Sequence, residues 1–341
     1  MHRRSVTKLL IAGGVSPWAA FVAGQAHSAV TVDSLPKLEG ELTLYLGRGE
    51  GGLYENVLKA ISDRNPNFKL NIRRGPTAAL ANAIVAESRA GIRRADMFWA
   101  VDTGAIGLIV DQELARSLPA DLTAQVRADF RYENWLPVTG RVRTIPFNTK
   151  NITADQISSE IMSLAETDLR IGWAPEYASF QSFITAMRLL EGEQATKSWL
   201  NKINTKAKKY AGELGVVMGV ERGEVDIGFA NHYYTLRLKA GKPDARINLA
   251  FTDGDAGCLV NASGILAIND SNTATDFIRY LFTKEVQTYL ATEAFEIPLI
   301  DGVASPPGLP SLGELSPPEL DLTKLADLRP TLDLMREIRV L

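Results

Sequence analysis

The chain has 341 residues with 37 basic against 40 acidic side chains, three histidines and one cysteine. That balance offers no basic surface for nucleic acid. One cysteine permits no internal disulfide, and so few His and Cys residues exclude a zinc site built from them. The length exceeds one small core and predicts two lobes.

In chain order, the first segment reads as removable. Met1 to Lys8 is a positive n-region, and Leu9 to Gly24 is an apolar stretch broken by Pro17 and too short to span a membrane comfortably. Ala26 to Ser28 supplies small residues for cleavage, so residues 1–28 are expected to be a signal peptide. Arg3-Arg4 ahead of Ser5 resembles a twin-arginine signal, a pattern that ordinary secretory n-regions share, and both export routes stay open. Without this segment 34 basic residues face 40 acidic ones, and His232 is the one histidine left. A protein of the periplasm is expected, with no nucleic-acid partner, and as a monomer.

Glu41 to Leu46 alternates as a strand, and Gly47 to Gly52 forms a loop before a helix from Leu53 to Ile61. Phe68 to Ile72 is a second strand, Ala78 to Ala90 a helix, and Ala95 to Ala100 a third strand, after which Asp102-Thr103 can cap a helix. This is the grammar of a parallel βαβ lobe. Asn134 to Asn148 is extended without helical period and predicts a strand crossing into a second lobe. There Leu169 to Trp173 is a strand, Ser179 to Leu190 and Ala195 to Ile203 are helices, and Val216 to Glu221 is a short helix. Val225 to Phe229 is an apolar run that breaks at Asn231, a good helix N-cap, and a helix continues through Leu236 and Leu238. Gly257 to Ile268 is extended again and returns the chain to the first lobe, followed by helices Thr273 to Phe282 and Lys284 to Thr292. A proline-rich wrap from Pro306 to Pro318 precedes a terminal helix from about Leu322 to Ile338.

The expected architecture is α/β: a two-lobed clamshell with two hinge-crossing strands and a cleft between the lobes. The boundaries follow as 29–142 for the first part of lobe one, 143–256 for lobe two, and 257–341 for a return to lobe one with the wrap and terminal helix. The strand-to-helix corner at Asn231, His232, Tyr233 and Tyr234 faces that cleft, because ligands in open α/β sheets sit beyond the carboxyl ends of strands. On the corner alone, one packed phenol and one exposed phenol is the favoured account.

With these pieces placed, the chain resembles the periplasmic ferric-ion-binding proteins, the solute-binding components of ABC importers with the type II two-lobed fold. The resemblance runs from about Leu42 to about Val303. Asp96 to Trp99 is similar to that family's Ala-Asp-Val-Phe-Tyr strand end, and Trp135 to Arg143 to its Trp-x-x-x-Ser-Gly-Arg-x-Arg segment. Val220 to Val225 and Asn231 to Tyr234 resemble its Val-Glu-Asn-Gly-Glu-Val and Asn-Asn-Tyr-Tyr, and Asp255 to Val260 resembles Asp-Pro-Gly-Ala-Leu-Val.

The resemblance implies Fe(3+) as the transported ligand, an inner-membrane ABC permease as partner, and no catalysis. It makes Tyr233 and Tyr234 phenolate ligands, sensible because Fe(III) prefers anionic oxygen donors and a bound cation draws off a phenolic proton that otherwise leaves near about 10. Asp102, Glu50 and Glu176 are the candidate carboxylates that would complete the metal site. The chain departs from the family in carrying Gly49 where some members have a ligand histidine and Val101 where they have a glutamate. Pro146-Phe147 offers no third tyrosine. The anion pocket matches Tyr177, Ser179, Glu213 and Asn231, where Glu213 and Glu176 would repel an anion and could bind metal in its place.

A second reading is therefore carried alongside: the same cleft binding a small organic or phosphorylated anion without metal, by aromatic stacking and by Arg48, with Arg141 and Arg143 near the hinge; His232 donates into the cleft or, the favoured role, caps its helix or supports a neighbouring ligand residue. For both hinge arginines a structural role is an equal alternative, and for Glu50, Asp102 and Glu176 taken singly a solvated loop carboxylate is the favoured account. Cys258 reads as a buried filler. An enzyme on this two-lobed fold is the third class, and it would have to rely on His232.

Overall fold

The computed structural model describes residues 30–47 and 52–341. The expected signal peptide, Arg48 and Glu50 lie outside the described residues. The strands are β1 Gly40–Gly47, β2 Phe68–Gly75, β3 Met97–Ala100, β4 Leu136–Asn148, β5 Ile171–Trp173, β6 Lys208–Lys209, β7 Ile227–Gly228, β8 Ala230–Asn231, β9 Ile247–Ala250, β10 Val260–Ala267 and β11 Ile297–Pro298.

The first lobe is organised on β2-β1-β3, all parallel, with β10 antiparallel to β3. Its crossovers are helical for the reason the sequence suggests. Between β1 and β2, the helix Leu53–Arg64 buries Tyr54, Val57, Leu58 and Ile61, a spacing that forms one apolar stripe at helical period. The second lobe places β5 between β6 and β7 in parallel.

One strand joins the two. The first half of β4 pairs with β10 and β11, and its second half pairs with β8, β9 and β7. The expected crossing strand is thus thirteen residues of continuous extended chain. The return crossing runs from β9 into β10 through a turn at Ala256–Cys258, capped by Asp255, whose carboxylate accepts from the Gly257 amide at 2.8 Å. Cys258 is fully buried beside it, and burial pushes its thiol up to about 12, which makes it an inert filler.

Three expectations need correction. The expected strand Val225 to Phe229 is reduced to β7, Ile227–Gly228, and a separate piece, β8, follows it at Ala230–Asn231, each paired to β4. The helix Glu213–Glu221 packs close over Gly228, where a Cβ would stand 2.3 Å from the Val216 side chain. The terminal helix also breaks in two. A 3-10 turn, Leu322–Ala326, ends at Asp327, and a new helix spans Leu328–Glu337. Pro330 supplies the reason. In a continuous helix its ring would clash with the Ala326 carbonyl, whereas in the first turn of a new helix a missing N–H costs nothing.

The new helix does not stay with the first lobe as expected. It packs on the second-lobe helices Ala178–Glu191 and Glu193–Lys206, with the Thr185 hydroxyl donating to Thr331 at 2.9 Å. The preceding 3-10 turn packs on the first-lobe helix Thr103–Asp111. Contact there is backbone-close, because a Cβ on Gly107 would meet the Thr323 carbonyl at 2.6 Å. The segment therefore spans both lobes. No described helix is long and apolar enough to cross a membrane.

Candidate functional site

A cavity of about 450 Å³ lies between the lobes. Three strand-to-helix corners and the hinge strand build it. Asp102 follows β3 and caps the helix Thr103–Asp111, accepting from the Ala105 amide at 3.0 Å. Tyr177 follows β5 and stands at the N-cap of Ala178–Glu191. Asn231 ends β8 and stands at the N-cap of His232–Gly241. Arg141 and Arg143 enter from β4, and Leu325, Ala326 and Leu328 of the C-terminal segment close one side.

The second-lobe wall is phenolic. The Tyr177 and Tyr234 hydroxyls share a hydrogen bond of 2.6 Å. Tyr233 and Tyr234 pack with ring centroids 4.5 Å apart, and their hydroxyls interact. Tyr233 is buried, lines the cavity and has the Arg237 guanidinium over its ring at 4.7 Å. The Asn231 side-chain amide donates to the Tyr233 hydroxyl at 3.4 Å rather than capping its own helix. Burial, then the neighbouring Tyr233 and Tyr177, raise the Tyr234 phenol well above its ordinary value. Without a cation it is a neutral phenol.

The first-lobe wall is mixed. Burial raises the Asp102 carboxyl, against the pull of the Ala105 amide and Arg141. Burial alone would lower the Arg141 guanidinium, but the surrounding Tyr233, Tyr54, Glu296 and Asp102 hold it above its usual value. Its Nη2 is buried with no hydrogen-bond partner. The Tyr54 hydroxyl donates to Glu296 at 2.9 Å, and both line the cavity.

Several candidate residues are placed otherwise than the sequence suggests. Glu176 is exposed and is not among the cavity residues, although Tyr177 beside it is. His232 is fully buried. Its Nδ1 accepts from the Val142 amide at 3.1 Å and its Nε2 lies 2.6 Å from the Phe295 carbonyl, so Nε2 carries the proton and neither nitrogen is left for a ligand. Desolvation pushes its pKa down to about 4. Glu213 is fully buried, paired with Arg143 at 2.5 Å, and accepts from the Ser179 hydroxyl and from the Asn231 amide at 2.8 Å. It is unavailable to a metal, and Arg143 takes the structural role.

Pro146-Phe147 offers no third phenol, but Tyr177 brings one to the pair through its bond to Tyr234. Tyr54 and Glu296 escaped the sequence reading altogether. They meet across 242 positions, and only the burial stripe of the helix at Leu53 marked Tyr54 at all. Among the described residues no group of three or more His, Cys, Asp or Glu side chains could hold a metal ion, and the oxygen donors that line the cavity include phenols together with the separate carboxyls of Asp102 and Glu296.

A family model for bacterial extracellular solute-binding proteins matches residues 42–296. The chain is 30% identical over 302 residues to the Fe(3+)-binding periplasmic protein of Serratia marcescens, covering 84% of this chain and 88% of that one. It is 26% identical to the major ferric iron-binding protein of Neisseria meningitidis serogroup B, over 84% of this chain and 89% of the relative. The structure of iron-bound HitA from Pseudomonas aeruginosa superposes with a TM-score of 0.77 at 26% identity, covering 89% of this chain and 99% of that one. Fold, cleft and relatives agree: the chain belongs to the bacterial extracellular solute-binding proteins, among their periplasmic ferric-ion-binding members.

Proposed function

We propose that this protein is the extracytoplasmic binding component of an ABC importer and captures ferric iron in the interlobe cleft on Tyr177, Tyr233 and Tyr234. It acts as a monomer, closes about β4 and the β9–β10 crossing, and presents the closed form to an inner-membrane permease. The observation that carries the reading is a cluster of three phenols at the cleft, of which Tyr177 and Tyr233 line the cavity while Tyr234 stands behind them, bonded to Tyr177 at 2.6 Å. Fe(III) is a hard cation suited to phenolate oxygen. Its charge offsets the burial that otherwise keeps Tyr234 protonated, so the phenolic protons leave as the metal enters. Asp102 faces these phenols from the first lobe and supplies the carboxylate that closure brings to the metal. The ferric-binding relatives support the same cargo.

Titration of the apoprotein with chelated ferric iron tests this. A visible tyrosinate charge-transfer band should grow and saturate at one equivalent. Tyr233→Phe with Tyr234→Phe should abolish it while leaving the apo melting temperature nearly unchanged. A folded protein that gives no band would overturn the assignment.

One observation favours a second reading. Arg141 holds a buried nitrogen without a partner beside a cavity far larger than one ion needs. A small organic or phosphorylated anion bound there without metal is the alternative. It predicts no band, and stabilisation by that anion that Arg141→Met removes.

A further inference from the structure

We propose that the C-terminal segment is a strap that ties the two lobes together beside the cargo and sets how long a captured ion is retained, with Gly107 and Arg188 as the residues that fix its two ends. The proposal rests on the ferric reading only for the cargo whose retention is timed.

The strap changes lobes within one peptide unit. Its Leu322–Ala326 turn lies on the first-lobe helix Thr103–Asp111, where a Cβ on Gly107 would stand 2.7 Å from the Ala326 Cβ and one on Gly104 3.2 Å from the Leu325 carbonyl. Leu322 and Leu325 are buried there, and the Tyr132 hydroxyl accepts from the Leu322 amide at 3.3 Å. The next residue is already held by the second lobe. Arg188 Nη2 donates to the Asp327 carbonyl at 3.0 Å and to its carboxylate at 2.5 Å, and Arg188 Nε donates to the Thr331 hydroxyl at 3.2 Å. Beyond it Thr331, Leu334 and Met335 are buried in the packing of Leu328–Glu337 on the second-lobe helices. Consecutive Cα atoms across a trans peptide are about 3.8 Å apart, so the link between Ala326 and Asp327 has no slack.

Position makes that matter. The lobes turn about β4 and the β9–β10 crossing, and two crossings define an axis. The strap is outside the sheet that carries them: its two pieces pack on helices of the two lobes, and Leu325, Ala326 and Leu328 line the cavity. A third fixed point outside the axis opposes the turn. Opening must therefore draw one end of the strap off its lobe. The two ends act in series, so releasing either one frees the turn as fully as releasing both.

The test reads that series logic. Gly107→Ala sets a Cβ 2.6 Å from the Thr323 carbonyl while favouring the helix that carries it. Arg188→Met frees Asp327 at the other end. Iron-loaded protein is mixed with excess chelator, and decay of the tyrosinate band times release. Each variant should release iron ~10-fold faster, the effect of about one lost hydrogen bond or close contact. The double variant should be no faster than the quicker single one, whereas two independent structural losses would multiply to ~100-fold. A second arm needs no iron. Small-angle X-ray scattering of the empty protein should give a larger radius of gyration in each variant and no further increase in the double.

Release that is unchanged in either single variant, or that multiplies in the double, overturns the proposal. So does a radius of gyration that no variant changes. Should Gly107→Ala fail to fold, Leu322→Ala, which removes a buried anchor from the strap itself, takes its place with the same expectations. A wild type that gives no ferric band sinks the ferric reading, and the scattering arm then decides the strap alone.

Discussion

Arg141 and Arg143 stand two residues apart on one strand and line the same cleft, yet their circumstances are opposite. Arg143 is buried and tied to Glu213 and to the Ser179 carbonyl. Arg141 is partly buried, has no carboxylate within ion-pair distance among the described residues, and keeps one nitrogen without a partner. Register decides the difference. Arg143 lies opposite Asn231, at the corner where the second-lobe helices converge, while Arg141 lies opposite Asn261 on the first-lobe return strand. The lesson extends to the whole cleft. Side chains there divide into those closed by internal partners, such as Arg143, Glu213 and His232, and Arg141, which keeps a nitrogen for a ligand.

The largest effect should come from opening a closed group. Arg143→Met strands the Glu213 carboxylate in the interior and should lower stability by about 3–5 kcal/mol, read as a denaturant midpoint. A loss under about 1 kcal/mol would place Arg143 with Arg141.

His232 should come next. Its folded pKa is pushed down to about 4 from an ordinary 6.5, so between those values the unfolded chain binds a proton that the folded chain refuses. Stability contributed by neutral His232 is therefore complete above pH 6.5 and is lost as pH falls toward 4, a change on the order of 3 kcal/mol. Denaturation of wild type and His232→Gln at both ends of that window isolates the contribution. Equal pH slopes in the two proteins would mean that the imidazole is not closed.

Tyr177→Phe extends the comparison to the phenols. It removes one phenol and the bond to Tyr234, and should weaken ferric binding by roughly 10–100-fold, or about 1.4–2.8 kcal/mol. Apo stability should fall by only about 1 kcal/mol. Unchanged affinity in a competition titration would restrict the metal to the adjacent pair. The smallest effect on the empty protein should follow Arg141→Met, within about 1 kcal/mol because it makes no buried ion pair.

Much of this was legible in the sequence because the signals were local. Alternation and helical stripes placed β1, β2 and the first helices, and the absence of helical period from Asn134 to Asn148 placed the hinge strand. The tyrosine corner was legible because a short apolar run, a capping Asn and two adjacent phenols are consecutive.

What was not legible depends on distant partners. Nothing local distinguishes Glu176, which faces solvent, from Tyr177, which faces Tyr234 from 57 positions away. Nothing local says that Glu213 will find Arg143 70 positions earlier, or that His232 will be held between Val142 and Phe295. The break at Asp327 was readable from Pro330, a local signal, but the partner of the helix beyond it was not.

The C-terminal segment has a consequence for how this molecule can be watched. The chain passes between its lobes at β4, again between β9 and β10, and a third time between Ala326 and Leu328. Among the described residues this odd number of passages leaves Val30 and Val340 on different bodies. Val30 is held in the first lobe, where its carbonyl accepts from the Lys284 amide, and Val340 in the second, where its carbonyl accepts from the Lys209 side chain. Every degree of opening must therefore change the separation of the ends. A pair of fluorophores fixed at the two ends becomes a ruler of the hinge, and energy transfer between them reports capture of any cargo, coloured or not, in solution.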